Sequence, residues 1–244
     1  MSMPETPNEI LLVTPVWNDS TRLAVFGKSL ADALAGSSLP IRWIIADDGS
    51  GQDEHARLTD LKNEFHRIFP GVELHLAAAH RGKGSVVREA WALAPDAAWL
   101  AFADADGSIS AEDMLGLIST ARSSGKSVLG VRKRTATTSV VATPWRALAH
   151  RTFLLAVHFL LGIRCTDAQC GAKVFKGSDY RAIASRLVEN GLAFDSELLY
   201  SLSRHGAAWR EIPVTWTEKD GGKVRPLRDG WGMLAALIRI RAAK

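Results

Sequence analysis

Asp104 and Asp106 stand two apart in the stretch Asp104-Ala105-Asp106-Gly107. On a tight turn, alternate residues can point to the same side, and a pair of carboxylates so placed suits a hard divalent cation. Mg²⁺ typically takes one or two protein carboxylates and completes its shell with phosphate oxygens and water. More carboxylates occur in Thr14-Pro15-Val16-Trp17-Asn18-Asp19 and in Asp47-Asp48-Gly49-Ser50. They can accept hydrogen bonds from base and ribose donors. Glycine turns and basic side chains come from Ala79-His80-Arg81-Gly82-Lys83-Gly84 and Gly130-Val131-Arg132. A nucleoside diphosphate needs such a set. Each stretch also has a plainer reading. Asp48-Gly49 is an ordinary turn dipeptide, Asp104 to Asp106 could cap a following helix, and Gly82-Lys83-Gly84 could simply open one.

What joins the stretches is their placement after short apolar runs. Residues 10–14, 41–46, 72–76, 98–103 and 127–131 have strand length and strand composition. Helical spacing of apolar residues fills 22–34, 54–69, 85–93 and 112–121. Strand and helix alternating at this rhythm predict an α/β, Rossmann-like fold with a mostly parallel central sheet covered on both faces. Ligands of such sheets gather beyond the carboxyl ends of the strands, so the five stretches are expected along one edge.

Past that point the pattern breaks. Residues 132–144 form a basic, Thr- and Ser-rich segment without a period, read as a mobile loop. A helix is predicted over 145–161, then a mixed region ending at 209–216. No repeat or linker divides the chain. The expected organisation is a disordered N-terminus over 1–9, one catalytic domain over 10–226 and a basic amphipathic helix over 227–244.

Composition narrows the partners. The 244 residues are 47% hydrophobic and 23% charged, enough for one sizeable α/β core. A net charge of +4 fits an anionic partner without choosing among nucleotide, lipid surface and nucleic acid. Cys165 and Cys170 are the two cysteines; with no second Cys or His pair near, they read as buried thiols in a reducing compartment. The N-terminus is too polar for a signal peptide, and no apolar run reaches the ~18 residues of a membrane span.

Rival nucleotide folds can be checked directly. Gly27-Lys28-Ser29 and Gly125-Lys126-Ser127 would need a glycine five residues earlier to be P-loops, and Arg22 and Thr120 stand there. The Gly-x-Gly-x-x-Gly fingerprint does not follow the first strand. A phosphatase of the haloacid dehalogenase type also uses Asp-x-Asp-Gly-Ser, but on its first strand and with an acidic pair downstream. Here the paired acids come earlier.

With Asp167-Ala168-Gln169-Cys170-Gly171-Ala172-Lys173, Phe194-Asp195-Ser196-Glu197-Leu198-Leu199 and Glu211-Ile212-Pro213-Val214-Thr215-Trp216 added, the chain resembles family 2 glycosyltransferases of the GT-A fold. Among them it is most similar to polyprenyl- and dolichyl-phosphate sugar synthases, and to their dolichyl-phosphate glucosyltransferase branch. The resemblance runs from about Ile10 to Arg241. It implies that Pro15, Asp19, Asp47 and Asp48 hold the nucleoside with Lys83 nearby, and that Asp104 and Asp106 serve ribose and an Mg²⁺ or Mn²⁺ ion. It further implies inversion at the anomeric carbon and a catalytic contact from Asp195. His80, Val131 and Ala172 depart from the usual Asn, Ser and aromatic residue of the family.

A polyprenyl phosphate acceptor has its second pKa near ~6 and is largely ionised at neutral pH, so no strong general base is required. Bringing it up to a donor diphosphate requires positive charge, and Arg132, Lys133 and Arg134 are the candidates, with Arg132 also in direct catalytic contact. The expected reaction moves a hexose, glucose from UDP-glucose, to that lipid. GDP-mannose or a soluble acceptor is the alternative. The helix over 145–161, with His150, Arg151 and His158, and the C-terminal Trp231, Met233, Leu234, Leu237 and Ile238, with Arg239, Arg241 and Lys244, could lie in a headgroup plane. A cytoplasmic protein, peripheral on the inner membrane face, is expected, with no nucleic-acid partner. Packing on the catalytic core or in a homodimer is the other use for these segments.

Overall fold

The first apolar run sends its side chains to two sides. Leu11 and Val13 enter one core, and Ile10, Leu12 and Val16 enter the other. A parallel strand sandwiched between helices is buried in this way, and the strand, β1, spans Ile10–Val16. In this computed structural model, residues 8–219, 221 and 226–243 are described. The segment expected to be disordered lies, through residue 7, outside them, as does Lys244. After β1 come α1 (Ser20–Ala35), β2 (Ile41–Asp47), α2 (Gln52–Ile68), β3 (Val72–Leu76), α3 (Lys83–Trp91), β4 (Trp99–Ala103), α4 (Ala111–Ser124) and β5 (Ser127–Val131). All elements expected up to residue 131 are present, with ends moved by a few residues.

Beyond residue 131 the structure departs from the sequence reading. The segment read as a mobile loop contains the short strand β6 (Val140–Val141), and the Thr135 hydroxyl accepts from the backbone N–H groups of Thr137 and Thr138. The helix expected over 145–161 is α5 (Pro144–Leu161). The mixed region resolves into β7 (Ala172–Lys176), α6 (Gly177–Ile183), a 3₁₀ turn over 184–186, α7 (Phe194–His205), β8 (Trp209–Pro213) and β9 (Trp216–Thr217). Last comes α8 (Pro226–Ala242), the helix expected at the C-terminal end; Met233, Ala236, Leu237 and Ile240 are buried, and it packs on α5 and α7.

Seven strands form one sheet in the order β3-β2-β1-β4-β7-β5-β8, while β6 and β9 pair apart. Only β7 runs antiparallel to its neighbours β4 and β5. An antiparallel strand begins where its parallel neighbours end, and Ala172 pairs with Ala103. The segment preceding β7, Asp167 to Gly171, therefore reaches the same edge as the loops after β4 and β5. On one face of the sheet Phe26, Phe65 and Met114 fill the core; on the other, Trp91, Phe175 and Phe194 do so. Pro15 brings no N–H to a ladder. The β1–β4 pairing stops at Val13↔Phe102 while β1–β2 continues to Val16↔Asp47, so the sheet edge parts between β1 and β4.

Candidate active site

The turn after β4 is held open by a glycine opposite it. Asp104 N–H donates to the Gly171 carbonyl at 2.8 Å, and a Cβ on Gly171 would lie 2.2 Å from Asp104 Oδ2. Only glycine leaves that carboxylate its place. Asp106 Oδ1 accepts from Ser108 N–H at 2.9 Å, and its Oδ2 lies 3.8 Å from Arg22. The cap of α4 is Ser110, whose hydroxyl accepts from Asp113 N–H at 3.0 Å. Asp104 and Asp106 are thus free of the helix-capping role and line an open pocket together with Lys83, Arg132, Arg146 and Asp195. Among the described residues no group of three or more His, Cys, Asp or Glu side chains converges as a metal cage. This donor set fits a hard cation that completes its shell with phosphate oxygens rather than protein atoms.

Lys83 begins α3 and reaches across the pocket floor. Its ammonium lies 2.8 Å from Asp104 Oδ1, 3.3 Å from Asp195 Oδ2 and 4.4 Å from the centroid of the Phe102 ring. Burial works against its charge, but Asp104 and Asp195 outweigh burial and raise its pKa. Asp195 is contacted on its other oxygen by Lys173 at 2.7 Å. Burial pushes its carboxyl up, yet Lys173 and Lys83 more than compensate and hold it below the ordinary carboxylate value. A carboxylate so stabilised in its charged form is a weak proton acceptor. Asp195 is held as an ion-pair partner between the two lysines. Asp104 is displaced upward, chiefly by burial, with Lys83 opposing and Asp106 adding to the shift.

Of the residues expected to hold a nucleoside, Pro15 and Asp19 sit where β1 leaves the sheet. Asp19 is fastened to Arg22, whose pKa is raised first by that hydrogen bond. Asp47 corrects the expectation: it has no exposed surface, and its oxygens are taken by Ser50 N–H, the Ser50 hydroxyl and His55. Its carboxylate shapes the turn and cannot reach a ligand. Asp48 accepts from the N–H groups of Arg81 and Gly82 at 2.9 and 2.8 Å and pairs with His80 at 2.8 Å, joining the β2 turn to the start of α3. Gly49 makes this close approach possible: its φ is +67°, and a Cβ there would lie 2.3 Å from the Ala79 carbonyl carbon. His80 stacks on Trp17, ring centroids 4.0 Å apart, forming an aromatic lip beside these turns.

The basic end is more organised than a solvated loop. Arg132 grips Asp167 through Nε at 2.6 Å and Nη2 at 2.8 Å, touches His150 Nδ1 at 3.0 Å and lies 5.4 Å from the centroid of the Trp216 ring. Burial works against the Asp167 charge, but the Arg132 guanidinium prevails and holds the carboxyl far below its usual range. Burial and then the Arg132 charge lower His150. Arg146, from the first turn of α5, lies 5.7 Å from the centroid of the same indole and pairs with Glu218 at 3.2 Å. Arg134 is not brought in: it is exposed, its guanidinium donates to the Val140 carbonyl, and it lines no part of the pocket. Lys133 is likewise exposed.

Arg22, Arg146, Lys173 and Trp216 are site residues to which sequence reading gave no role of their own. Lys173 and Trp216 stood in motifs that carried the resemblance, and Lys173 left a further trace, a charge inside the strand-length run Ala172–Lys176. His150 and His158, expected on a segment lying in a headgroup plane, turn inward, His150 to the pocket and His158 Nε2 to the Cys165 carbonyl at 2.8 Å. Both cysteines are buried free thiols, as expected, with burial pushing each up to about 12.

The model for glycosyl transferase family 2 matches residues 11–182. A dolichyl-phosphate beta-glucosyltransferase of Saccharomyces cerevisiae is 28% identical over 250 residues, covering 95% of this chain and 74% of the yeast protein. One from Dictyostelium discoideum is 29% identical, covering 94% and 73%. Among solved structures, glucosyl-3-phosphoglycerate synthase from Mycobacterium tuberculosis with Mn²⁺, UDP and phosphoglyceric acid superposes with a TM-score of 0.64. It shares 16% identity, over 96% of this chain and 77% of that one, a likeness of fold alone.

Proposed function

The chain belongs to glycosyl transferase family 2, and we propose that it is an inverting hexosyltransferase carrying glucose from UDP-glucose to a polyprenyl phosphate. The observation that carries this reading is one pocket that presents two chemistries. Asp104 and Asp106 supply carboxylates to it, Arg132 and Arg146 guanidinium groups. A nucleoside diphosphate suits the first through ribose and cation contacts, and an acceptor phosphate suits the second through guanidinium groups. When bound at Asp104 and Asp106, Mg²⁺ or Mn²⁺ supplies charge that offsets the diphosphate as it leaves.

The remaining work falls to the chain itself. Lys83 offers an ammonium to the donor phosphates. Arg132 and Arg146 hold the acceptor anion against the repulsion of the donor, roughly 4 kcal/mol for unit charges ~4 Å apart at an effective dielectric of 20. A phosphate already ionised at neutral pH needs no proton removed, in keeping with an Asp195 carboxyl held in its charged form. The oxygen of the acceptor phosphate forms the new bond to the anomeric carbon as the bond to the donor diphosphate breaks. The electron pair leaves with the diphosphate, and the carbon inverts.

A lipid acceptor requires a surface to meet it on, and α5 supports one. Its outward side carries Trp145, Leu148, Leu155 and Phe159, the last 86% exposed, and the helix has no acidic residue. Trp231 and Ile238 are exposed apolar residues on α8, which packs beside it. Apolar residues with Arg151 nearby suit an anionic headgroup layer. No described helix is long and apolar enough to cross a membrane.

The test is direct. Purified protein is incubated with a panel of nucleotide sugars, a polyprenyl phosphate and Mg²⁺ or Mn²⁺, and products are identified by mass. A hexosyl-phosphoryl-polyprenol formed from UDP-glucose is the expected product. Transfer only from GDP-mannose would change the sugar, and transfer only to soluble acceptors would remove the lipid from the reading.

A further inference from the structure

Lys173 has no exposed surface, yet it carries a charged group into the sheet. Lysine is seldom fully buried without a partner. Here the ammonium donates to the Cys170 carbonyl at 2.5 Å and to Asp195 Oδ1 at 2.7 Å. Asp195 Oδ2 in turn faces Lys83 at 3.3 Å, and Lys83 reaches Asp104 Oδ1 at 2.8 Å. The Phe102 ring underlies both ammonium groups, 4.4 Å from Lys83 and 5.3 Å from Lys173. The result is an alternating row, Lys173–Asp195–Lys83–Asp104, that runs from the interior to the pocket.

Such a row gives the fold little. Removing two charges from water costs about as much as their attraction returns, and an apolar pair of equal volume is often no less stable. Its effect falls on Lys83. With Asp104 turned to ribose and cation, one carboxylate divided between two ammonium groups leaves a unit of positive charge unmatched. Were Asp195 paired with Lys83 alone, that charge would be cancelled where it stands.

We propose that Lys173 is a positioning residue for the donor. By occupying one oxygen of Asp195 it keeps Lys83 net positive toward the diphosphate once Asp104 turns to ribose and cation. This role rests on the donor-site reading above and adds a residue too deep to touch the donor itself.

The experiment compares wild type with Lys173→Met, Lys173→Gln, Asp195→Asn and the double variant Lys173→Met/Asp195→Asn. UDP binding in the presence of Mn²⁺ is measured by calorimetry, with GDP as the second probe, and thermal unfolding is recorded alongside. Lys173→Met and Lys173→Gln should each weaken UDP binding about tenfold, because a paired buried group couples to its neighbour at this scale. Gln keeps a hydrogen bond to Asp195 without the charge, so a purely structural role would leave Lys173→Gln near wild type. Adding Asp195→Asn to Lys173→Met should restore most of the lost affinity, since asparagine cannot neutralise Lys83. Normal affinity in folded Lys173→Met or Lys173→Gln would overturn the proposal, as would losses that simply add in the double variant. Failure of wild type to bind either nucleotide would instead sink the donor site itself.

Discussion

Replacing Asp167 by asparagine keeps the side-chain volume and removes the charge to which Arg132 is fastened. Asp167 is 1% exposed and accepts from Arg132 Nε and Nη2, from the Arg132 backbone N–H at 3.1 Å and from Gln169 N–H at 2.9 Å. Asparagine has one acceptor oxygen and must turn an NH₂ toward a guanidinium or a backbone N–H. Removing one partner of a buried ion pair costs about 3–5 kcal/mol, and the partial exposure of Arg132 argues for the lower figure. For a chain of this size each 1 kcal/mol moves Tm by roughly 2–4 °C, so Asp167→Asn should melt about 6–12 °C lower. Circular dichroism through a thermal ramp at pH 7 measures this. The same pair sets a pH signature. Because the folded carboxyl lies below its ordinary value of 3.8, its stabilisation is fully present above that pH and is lost as pH falls further. The gap between wild type and variant should therefore hold steady from neutral pH to about 4 and narrow in stronger acid. A variant melting within about 2 °C of wild type at pH 7, or a gap that widens in acid, would refute the reasoning.

Asp106→Ala should lower transfer at least ~100-fold, with the thermal transition unmoved, and chelator should do the same to wild type. Gly171→Ala places a Cβ 2.2 Å from Asp104 Oδ2; the displaced carboxylate should cut the transfer rate by about 100-fold in a steady-state assay. Arg146→Ala should reduce acceptor kcat/KM by roughly 10- to 150-fold while calorimetric affinity for UDP and Mn²⁺ holds. Arg134→Ala, changing a residue outside the pocket, should alter neither quantity.

The parallel half of the sheet was legible because its strands are plain apolar runs separated by helices of regular spacing. The carboxylates of Asp104 and Asp106 were legible for the same reason, since a strand that ends visibly marks where chemistry can begin. β7 was not, because Lys173 interrupts its apolar run and only the Asp195 pairing makes the interruption tolerable. Arg134 and Arg132 look alike in sequence, two basic residues of one loop. Asp167, thirty-five residues from Arg132 along the chain, draws only the latter inward. Asp47 and Asp48 misled in a related way: adjacent carboxylates suggest a shared ligand, but the first is consumed by Ser50 and His55. Partners distant along the chain decide which charges stay available, and no local pattern records them.

β7 also acts as a ruler. It is the one strand hydrogen-bonded to both β4 and β5, so the turn bearing Asp104 and the loop bearing Arg132 are held two strand widths apart. Neighbouring strands lie about 4.8 Å from each other, which sets that gap near ~10 Å. Direct pairing of β4 with β5 would halve it and bring carboxylate and guanidinium within reach of mutual neutralisation. With β7 between them the two turns stand apart along the sheet edge, and the segment that leads into β7 holds both, Gly171 the turn of Asp104 and Asp167 the side chain of Arg132.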